Sequence, residues 1–311
     1  MSAEKILLPG GAGLVGQNLV ARLRAAGHHN IVVLDKHRTN LEILRQVQPD
    51  IVVEYADLSV PGDWQRHFAG ATAVVQLQAQ IGGLDPAEFE RNNIESTKLI
   101  LEQIKRHTIP YLVHISSSVV CSVADDLYTN TKKAQEALVT ASGVNHVTLR
   151  PTLMFGWFDR KHLGWLARFM KKVPVFPIPG PGRYMRQPLY SGDFCNVIIS
   201  CLKNQPTGIY NISGHEQVDY VDIIKAIKKV TKAKALIAHI PIPLFRTLLS
   251  TWAVFDKNPP FTTQQLTALV ARDEFEVIDW PGLFKVPITP FAKALDETFN
   301  DPKYSHIVLE F

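Results

Sequence analysis

Tyr128 and Lys132 are spaced for joint chemistry, because they lie four positions apart in a segment, Tyr128–Ala141, that predicts a helix. Four residues make about one helical turn, so both side chains project from the same face. An ammonium beside a phenol stabilises the phenolate, which we expect to lower the pKa of Tyr128 from about 10 toward neutrality. Such a phenol can exchange a proton with a substrate hydroxyl.

Three glycines at a three-residue spacing, Gly10, Gly13 and Gly16, follow an apolar strand near the start of the chain. Glycine permits a tight strand-to-helix turn, close approach of a pyrophosphate to the backbone, and close packing of the next helix. That helix is predicted to begin at Leu14, so the first amides of the helix, including that of Val15, can face phosphate groups. The pattern indicates a dinucleotide-binding turn.

The next predicted strand, Ile31–Asp35, ends in an acid. A carboxylate at this place accepts hydrogen bonds from the hydroxyls of the adenosine ribose and repels a 2′-phosphate, which favours NAD over NADP. Lys36 and Arg38 follow directly, and a cation there could neutralise such a phosphate. NADP therefore stays open as the cofactor.

Strand-like and helix-like segments alternate through the first half of the chain, which is typical of βαβ units and a parallel sheet covered on both faces. Further strands are predicted at Ile51–Tyr55, Ala73–Leu77, Tyr111–Ile115 and His146–Leu149, and helices at Leu14–Ala26, Asn40–Gln46, Ala87–His107 and Tyr128–Ala141. We predict an α/β fold with a Rossmann-like, doubly wound parallel sheet, in which residues 1–150 form the NAD(P)-binding domain. Ligands of such sheets lie beyond the carboxyl ends of the strands.

Residues 151–311 are predicted to form mainly a smaller substrate-binding cap over that edge. Several prolines in one glycine-containing stretch prevent regular helix there: Pro174, Pro177, Pro179, Pro181 and Pro188. A strand at Gly208–Ile212 and a helix at Tyr220–Val230 are still predicted, and elements within about 183–215 are expected to return to the sheet.

The most apolar long segment is Leu236–Phe255. His239, Pro241, Pro243 and Arg246 interrupt it, which argues against a membrane span. We expect it to cover the substrate domain. Contact with a lipid surface is the alternative.

Bulk composition excludes several classes of protein. The 311 residues are 46% hydrophobic and 20% charged, and the formal charge of +4 is spread without a basic stripe, so nucleic-acid binding is not expected.

Cys121, Cys195 and Cys201 form no paired motif, which fits a reducing compartment. His28-His29 lacks companion ligands, so no metal is expected. The first strand begins within a few residues of the start, which leaves no room for a signal peptide and indicates a cytoplasmic protein.

Together these motifs resemble the extended short-chain dehydrogenase/reductase family, which contains the epimerases and dehydratases of nucleotide sugars, and the resemblance runs through most of the chain. It implies cofactor contacts at Gly10, Gly13, Leu14, Val15, Gly16, Asp35, Asp57, Leu58, Ala79, Asn93, Tyr128, Lys132 and Pro151. It implies that Tyr128 is the acid/base and that Lys132 holds the nicotinamide ribose. Ser117, after the fifth strand, is expected to be the catalytic hydroxyl residue, with Ser118 as second choice and both near substrate. Arg186 is expected to bind a substrate diphosphate, with Arg183 as an equal competitor.

Departures from the family pattern bear on the substrate. Pro9 stands where the family usually has Thr, and Cys121-Ser122 stands where Tyr-Gly is frequent. In the 4,6-dehydratase branch Asp-Glu follows the catalytic hydroxyl residue, whereas Ser118-Val119 follows Ser117 here. Dehydration is therefore disfavoured. Asp193 is expected to cap a helix rather than to touch ligand.

The resemblance implies an NAD-dependent epimerase that acts on a nucleotide sugar through transient hydride transfer and a keto intermediate. One alternative is an NAD(P)-dependent dehydrogenase or reductase of a sugar or a sterol-like alcohol. Another is a non-catalytic cofactor-binding subunit, because Arg186–Tyr190 and Phe261–Leu266 resemble the accessory subunit of respiratory complex I. The helices Ala87–His107 and Tyr128–Ala141 resemble those that pair across a two-fold axis in the family, so a homodimer is expected.

Overall fold

The computed structural model describes residues 4–255, 262–270 and 276–310. Phe261, the first residue of the Phe261–Leu266 segment, lies outside the described residues.

In this part of the chain the strands are β1 (Ile6–Pro9), β2 (Ile31–Asp35), β3 (Val52–Tyr55), β4 (Ala73–Gln76), β5 (Leu112–Ile115), β6 (His146–Pro151), β7 (Met154–Phe155), β8 (Val175–Pro179), β9 (Met185–Arg186), β10 (Leu189–Tyr190), β11 (Gly208–Ile212), β12 (Val218–Asp219) and β13 (Leu236–Ile240). The α-helices are α1 (Leu14–Ala25), α2 (Arg38–Val47), α3 (Pro86–Phe89), α4 (Ser96–Arg106), α5 (Leu127–Ala141), α6 (Leu163–Lys172), α7 (Ser191–Asn204), α8 (Tyr220–Thr231), α9 (Ile242–Phe255), α10 (Thr263–Val270), α11 (Trp280–Phe284) and α12 (Phe291–Asn300). Short 3₁₀ turns lie at Asp63–Phe68 and Ser118–Cys121.

Among the described residues, seven strands form one sheet in the order β11-β6-β5-β4-β1-β2-β3. All of its neighbouring strands are parallel. Their carboxyl ends therefore meet at one edge, where the glycine turn follows β1, Asp35 ends β2 and the serine run follows β5. The predicted doubly wound Rossmann-like fold is confirmed.

The chain returns to this sheet after the proline-rich stretch. β11 is an edge strand beside β6, and α7 packs against α1. Phe194, Val197 and Ile212 accordingly share a core cluster with Leu8 of β1 and Leu19 of α1.

A second core cluster joins α6, α8, α12 and the strand pair β8–β13, with Phe176, Ile178, Ile224 and Leu295 among its fully buried residues. We propose that this cluster is the core of the substrate cap, and the domain boundary near residue 150 remains a proposal.

Two local predictions need revision. The predicted helix Ala87–His107 is divided by a π-helical turn at Glu90–Glu95. The proline-rich stretch is more regular than expected, because two of its prolines, Pro177 and Pro179, lie in β8, whose partner is β13. The apolar segment Leu236–Phe255 is divided at Pro241, one of the interruptions named from the sequence, into β13 and α9, since proline cannot donate the backbone hydrogen bond that would continue β13. None of the described helices is both long and apolar enough to traverse a bilayer.

Candidate active site

The three glycines of the turn differ in the space around their Cα atoms. A side chain would clash with neighbouring backbone at two of them and would meet open space at the third. Gly10 has a φ of +78°, and a Cβ there would overlap the backbone of Gln78, just beyond β4. A Cβ at Gly16 would overlap the carbonyl of Gly11, so Gly16 keeps α1 close to the turn. Nothing lies within 4 Å of the position that a Cβ of Gly13 would take. Two glycines thus serve the fold, and Gly13 gives a ligand access to backbone.

Asp35 is hydrogen-bonded to that turn. Its Oδ2 accepts from the Ala12 amide at 3.0 Å, and its Oδ1 accepts from the His37 amide at 3.0 Å. A carboxylate oxygen has more than one acceptor site, so these contacts orient Asp35 and leave capacity for the two hydroxyls of a ribose. The open glycine backbone and the oriented acid fit a dinucleotide.

The two cations after Asp35 have protein partners. Lys36 donates from Nζ to Oδ1 of Asn92 at 2.7 Å, and the Arg38 guanidinium lies 3.9 Å from the ring centroid of Tyr55. Asn92 and Tyr55 are uncharged, so these contacts hold the two cations in place and leave their charges near the ribose site.

Asp57 and Leu58 follow β3 at the same sheet edge. Oδ1 of Asp57 accepts from the Ser59 amide at 3.0 Å and from the Ser59 hydroxyl at 2.7 Å. Burial acts to raise the pKa of Asp57, but the Ser59 hydrogen bonds and the charges of Lys36 and Arg91 outweigh it, so the pKa is lowered. Leu58 is buried in the neighbouring core.

Asn93 ties three parts of the site together from the π-helical turn. Its buried side chain accepts from the Gln80 amide at 2.7 Å and donates to Oγ1 of Thr131 at 2.9 Å. The loop after β4, which includes Ala79, is thereby joined to α5, the helix that carries Tyr128. A π-helical turn at such a position is common at functional sites.

Tyr128 lies in the first turn of α5, which begins after the N-cap Asp126. The Ser117 side chain lies near enough to the phenol to act on the pKa of Tyr128, so the structure brings together the phenol and the first-choice serine. The expected drop in the pKa of Tyr128 is wrong for the chain without cofactor. Burial raises this pKa, the Asp126 charge adds to the rise, and the Ser117 side chain only partly offsets it.

The contacts of Lys132 explain why its ammonium does not lower the pKa of Tyr128. The side chain is 1% exposed and donates from Nζ to the Ile115 carbonyl at 2.9 Å and to Oε1 of Gln135 at 2.5 Å. Burial lowers the pKa of Lys132 to about 7, while the charge of Glu136 acts to raise it. The cation is thus directed at the end of β5 and at its own helix.

Two residues that the sequence interpretation missed support Lys132. Gln135 donates from Nε2 to Oγ1 of Thr97 at 2.8 Å, which links α5 to α4. Glu136 accepts both hydrogen bonds of a bidentate pair with Arg150 of β6, at 2.8 and 2.6 Å. The positions three and four residues after Lys132 lie on the same helix face, and this spacing was the available signal.

The residues that were expected to bind substrate contact different parts of the protein. Arg186 donates to the backbone carbonyls of Met185 and Leu269. Arg183 is exposed and pairs with Asp219 at 3.0 Å. Ser118 begins the 3₁₀ turn that follows Ser117, and Pro151 ends β6 and is buried.

Asp193 does not cap its helix, contrary to expectation. It lies in the first turn of α7, and its two oxygens accept from the amide and the hydroxyl of Thr289, at 2.9 and 2.6 Å. Tertiary contact with a distant loop has replaced the local cap.

Cys121, where the family often has Tyr, is an exposed thiol 3.5 Å from Arg150. Within the described ranges, no cluster of His, Cys, Asp and Glu is arranged to hold a metal ion.

The family assignment comes from comparison with known proteins. A model of the NAD dependent epimerase/dehydratase family matches residues 6–213. The chain belongs to this family. The match begins at β1 and runs just past β11, so it includes the glycine turn, Ser117, Tyr128 and Lys132. The chain is accordingly an NAD-dependent enzyme of the extended short-chain dehydrogenase/reductase type, in a family that acts on nucleotide sugars.

Individual relatives in this family catalyse different reactions. The dTDP-glucose 4,6-dehydratase of Streptomyces niveus is 28% identical over 284 residues, which cover 76% of this chain and 81% of that enzyme. The human UDP-glucose 4-epimerase is 32% identical over 139 residues, 38% of either chain. The structure of the Thermotoga maritima UDP-glucose 4-epimerase with UDP-glucose is similar with a TM-score of 0.74 at 16% identity, and the similarity covers 94% of this chain and 97% of that chain.

Proposed function

We propose that this protein is an NAD-dependent epimerase that inverts a hydroxyl-bearing ring carbon of a nucleotide sugar. The single observation that supports it most is the position of the Ser117 side chain beside the phenol of Tyr128, at the sheet edge that also holds the glycine turn and Asp35. Bound NAD supplies reversible hydride acceptance at the ring carbon. The backbone at Gly13 and the carboxylate of Asp35 are the groups that would hold it.

The proton chemistry falls to this chain's own residues. Tyr128 takes the proton of the reacting hydroxyl as that carbon becomes a ketone, and returns it when the alcohol re-forms. Ser117 donates a hydrogen bond to the reacting oxygen and keeps the phenol oriented. Lys132 supplies a nearby cation and holds the end of β5 in place through Ile115. Because burial raises the pKa of Tyr128 in the chain alone, the positive charge of oxidised nicotinamide is needed to favour phenolate.

Epimerisation is preferred to dehydration because elimination of water needs a further acid/base pair. Ser118 and Val119 follow Ser117 in the 3₁₀ turn and supply no carboxylate. The carboxylate that acts on Tyr128 is that of Asp126, and both of its oxygens accept hydrogen bonds from Thr129, at 2.9 Å each. Asp126 is therefore engaged in capping α5.

The decisive experiment incubates the purified protein with UDP-glucose and, separately, dTDP-glucose, and follows the sugar by NMR while absorbance reports reduced nicotinamide. An epimerase converts a sugar to its epimer without net reduction of NAD. Loss of one water from the sugar would establish a dehydratase instead, and stoichiometric reduction of added NAD would establish a one-way dehydrogenase. Mass spectrometry identifies any nucleotide sugar that co-purifies with the protein, and that sugar is tested in the same way. If the protein binds NAD but converts none of these sugars, it is a non-catalytic subunit.

Assembly and location are part of the same proposal. We propose a homodimer formed through the α4 and α5 region, as the family resemblance implies, and a cytoplasmic location, which the unpaired cysteines favour. Light scattering of the purified protein at twice the chain mass of 34.8 kDa would support the dimer.

A further inference from the structure

One hydrogen bond joins the two sides of the dinucleotide cleft, which is the part of the sheet edge formed by the glycine turn and Asp35. Lys36 directly follows β2, and its Nζ donates to Oδ1 of Asn92 at 2.7 Å. Asn92 lies in the π-helical turn that follows the loop after β4. Because β1 lies between β2 and β4 in the sheet, this contact crosses the carboxyl end of β1, where the glycine turn begins.

The bridge lies on the outer side of the cleft. Lys36 is exposed and Asn92 is partly exposed, so the contact between them is at the surface of the protein. The lysine charge also acts on the carboxylate of Asp57, which follows β3. The ammonium is thus within reach of groups that follow β3 and β4. This position places it over the half of the cleft where Asp35 would hold the adenosine ribose.

Asn92 presents a fixed acceptor to the lysine. Its Nδ2 donates to Oε1 of Gln80 at 2.8 Å, which orients Oδ1 of the same amide toward Lys36. Gln80 is held in turn, because its main-chain amide donates to Oδ1 of the buried Asn93 at 2.7 Å. The lysine, in contrast, has a flexible four-carbon side chain. One side of the bridge is therefore anchored, and the other side can swing away.

The bond between them can open without unfolding any element. It is charge-assisted, but water competes for both groups at an exposed position. Exposed side chains change rotamer in picoseconds to nanoseconds, which is much faster than a ligand arrives or leaves. The fraction of time that the bond is open therefore scales the entry and the exit of a ligand by the same factor.

We propose that Lys36 and Asn92 form a clasp across the dinucleotide cleft, which opens to admit NAD and closes again over the bound cofactor. The clasp sets the rate of cofactor exchange rather than the affinity, because it slows entry and exit equally. Slow exchange suits an enzyme that reduces and re-oxidises one cofactor within each turnover, and this consequence rests on the proposed epimerase function. The clasp itself requires only that the dinucleotide binds in this cleft.

Stopped-flow fluorescence of NADH measures both rate constants on the purified protein. Mixing with NADH gives association, and displacement of NADH by excess NAD gives dissociation. Asn92→Leu removes the acceptor and keeps the lysine charge, so both rate constants should rise at least about fivefold while Kd changes less than about twofold. Asn92→Asp replaces the hydrogen bond with an ion pair and should lower both. A carboxylate that only repelled the negatively charged cofactor would slow association and speed dissociation.

Two lysine variants complete the test. In a Lys36→Met background the clasp is already open, so Asn92→Leu should change neither rate constant by more than about twofold. Lys98→Met is the matched control for loss of charge, because Lys98 donates to Glu95 on adjoining helical turns at 2.7 Å and does not cross the cleft. Its rate constants should stay within about twofold of those of the unmodified protein.

Several results would overturn the clasp. A rise in dissociation alone in Asn92→Leu, with a matching rise in Kd, would mean that these side chains contact the cofactor directly. An equal effect of Asn92→Leu with and without Lys36 would mean that the two residues do not act together. A protein that binds no NADH would overturn both the clasp and the proposed function. NADH binding without conversion of any sugar would overturn the proposed function alone.

Discussion

Lys132 donates a hydrogen bond from Nζ to the main-chain carbonyl of Ile115 at 2.9 Å, which joins α5 to the last residue of β5. Ser117 lies two residues beyond Ile115, and Tyr128 lies one turn before Lys132. This one contact therefore braces both elements that bring the phenol and the serine together. It also places a buried cation in the centre of the candidate site.

That buried cation should make stability depend on pH. Burial lowers the pKa of Lys132 to about 7 in the folded chain, whereas the unfolded value is about 10.4. Between these values the unfolded chain binds a proton that the folded chain does not, so this residue makes stability rise with pH from about 7 to about 10.4. Urea unfolding across that range should show the rise in the unmodified protein and its loss in Lys132→Met. Parallel profiles for the two proteins would contradict the burial of the charge.

Tyr128→Phe should abolish the proton transfer and keep the ring in place. We expect kcat to fall by at least about 100-fold, with the Kd for NAD changed by less than about threefold. Stopped-flow or NMR turnover and fluorescence titration with NAD measure the two quantities. Tyr210→Phe is the matched control, because its hydroxyl bonds only the backbone carbonyl of Thr207 among the described contacts. Turnover that survives in Tyr128→Phe would remove this residue from the mechanism.

The glycines of the turn should separate into structural and binding roles. Gly16→Ala forces a methyl group into the Gly11 carbonyl and should destabilise the fold by about 2 kcal/mol or more. Gly13→Ala meets nothing within 4 Å, so its unfolding temperature should change by only a few degrees while the Kd for NAD rises at least about tenfold. Calorimetry and NAD titration on both variants check this. NAD affinity unchanged in Gly13→Ala would show that the open backbone there is not the pyrophosphate site.

Asp35 should set the preference between the two dinucleotides. Asp35→Asn keeps an oxygen that can accept the Ala12 or His37 amide but removes the charge that repels a 2′-phosphate. The ratio of Kd for NADP to Kd for NAD should fall by at least about tenfold. Asp57→Asn is the comparison, since its carboxylate is held by Ser59 in the turn after β3. Equal changes in the two variants would mean that net charge, rather than position, decides the preference.

Local pattern was enough to predict the parallel sheet and to select the candidate residues of the site. Some features depend only on neighbouring residues, so they can be predicted without long-range contacts. They are the hydrophobicity of the strands, the spacing of Gly10, Gly13 and Gly16, and the acid at the end of β2. The Tyr128–Lys132 spacing likewise identified the helix and the face that carry both side chains. The π-helical turn at Glu90–Glu95 was not predictable in this way, because it depends on how Asn93 reaches both Gln80 and Thr131.

By itself, the sequence determined the fold class, the cofactor turn and the types of residue available for catalysis, since each depends on short-range periodicity and side-chain chemistry. Only the tertiary structure decided where the charges point. Lys132 is turned to Ile115 and Gln135, Asp193 to Thr289, and Arg186 to backbone carbonyls, because buried polar groups take whichever partners the packing brings within hydrogen-bond reach. The pKa of Tyr128 is raised rather than lowered for the same reason: burial, which is a property of the assembled fold, outweighs the neighbours that spacing can predict.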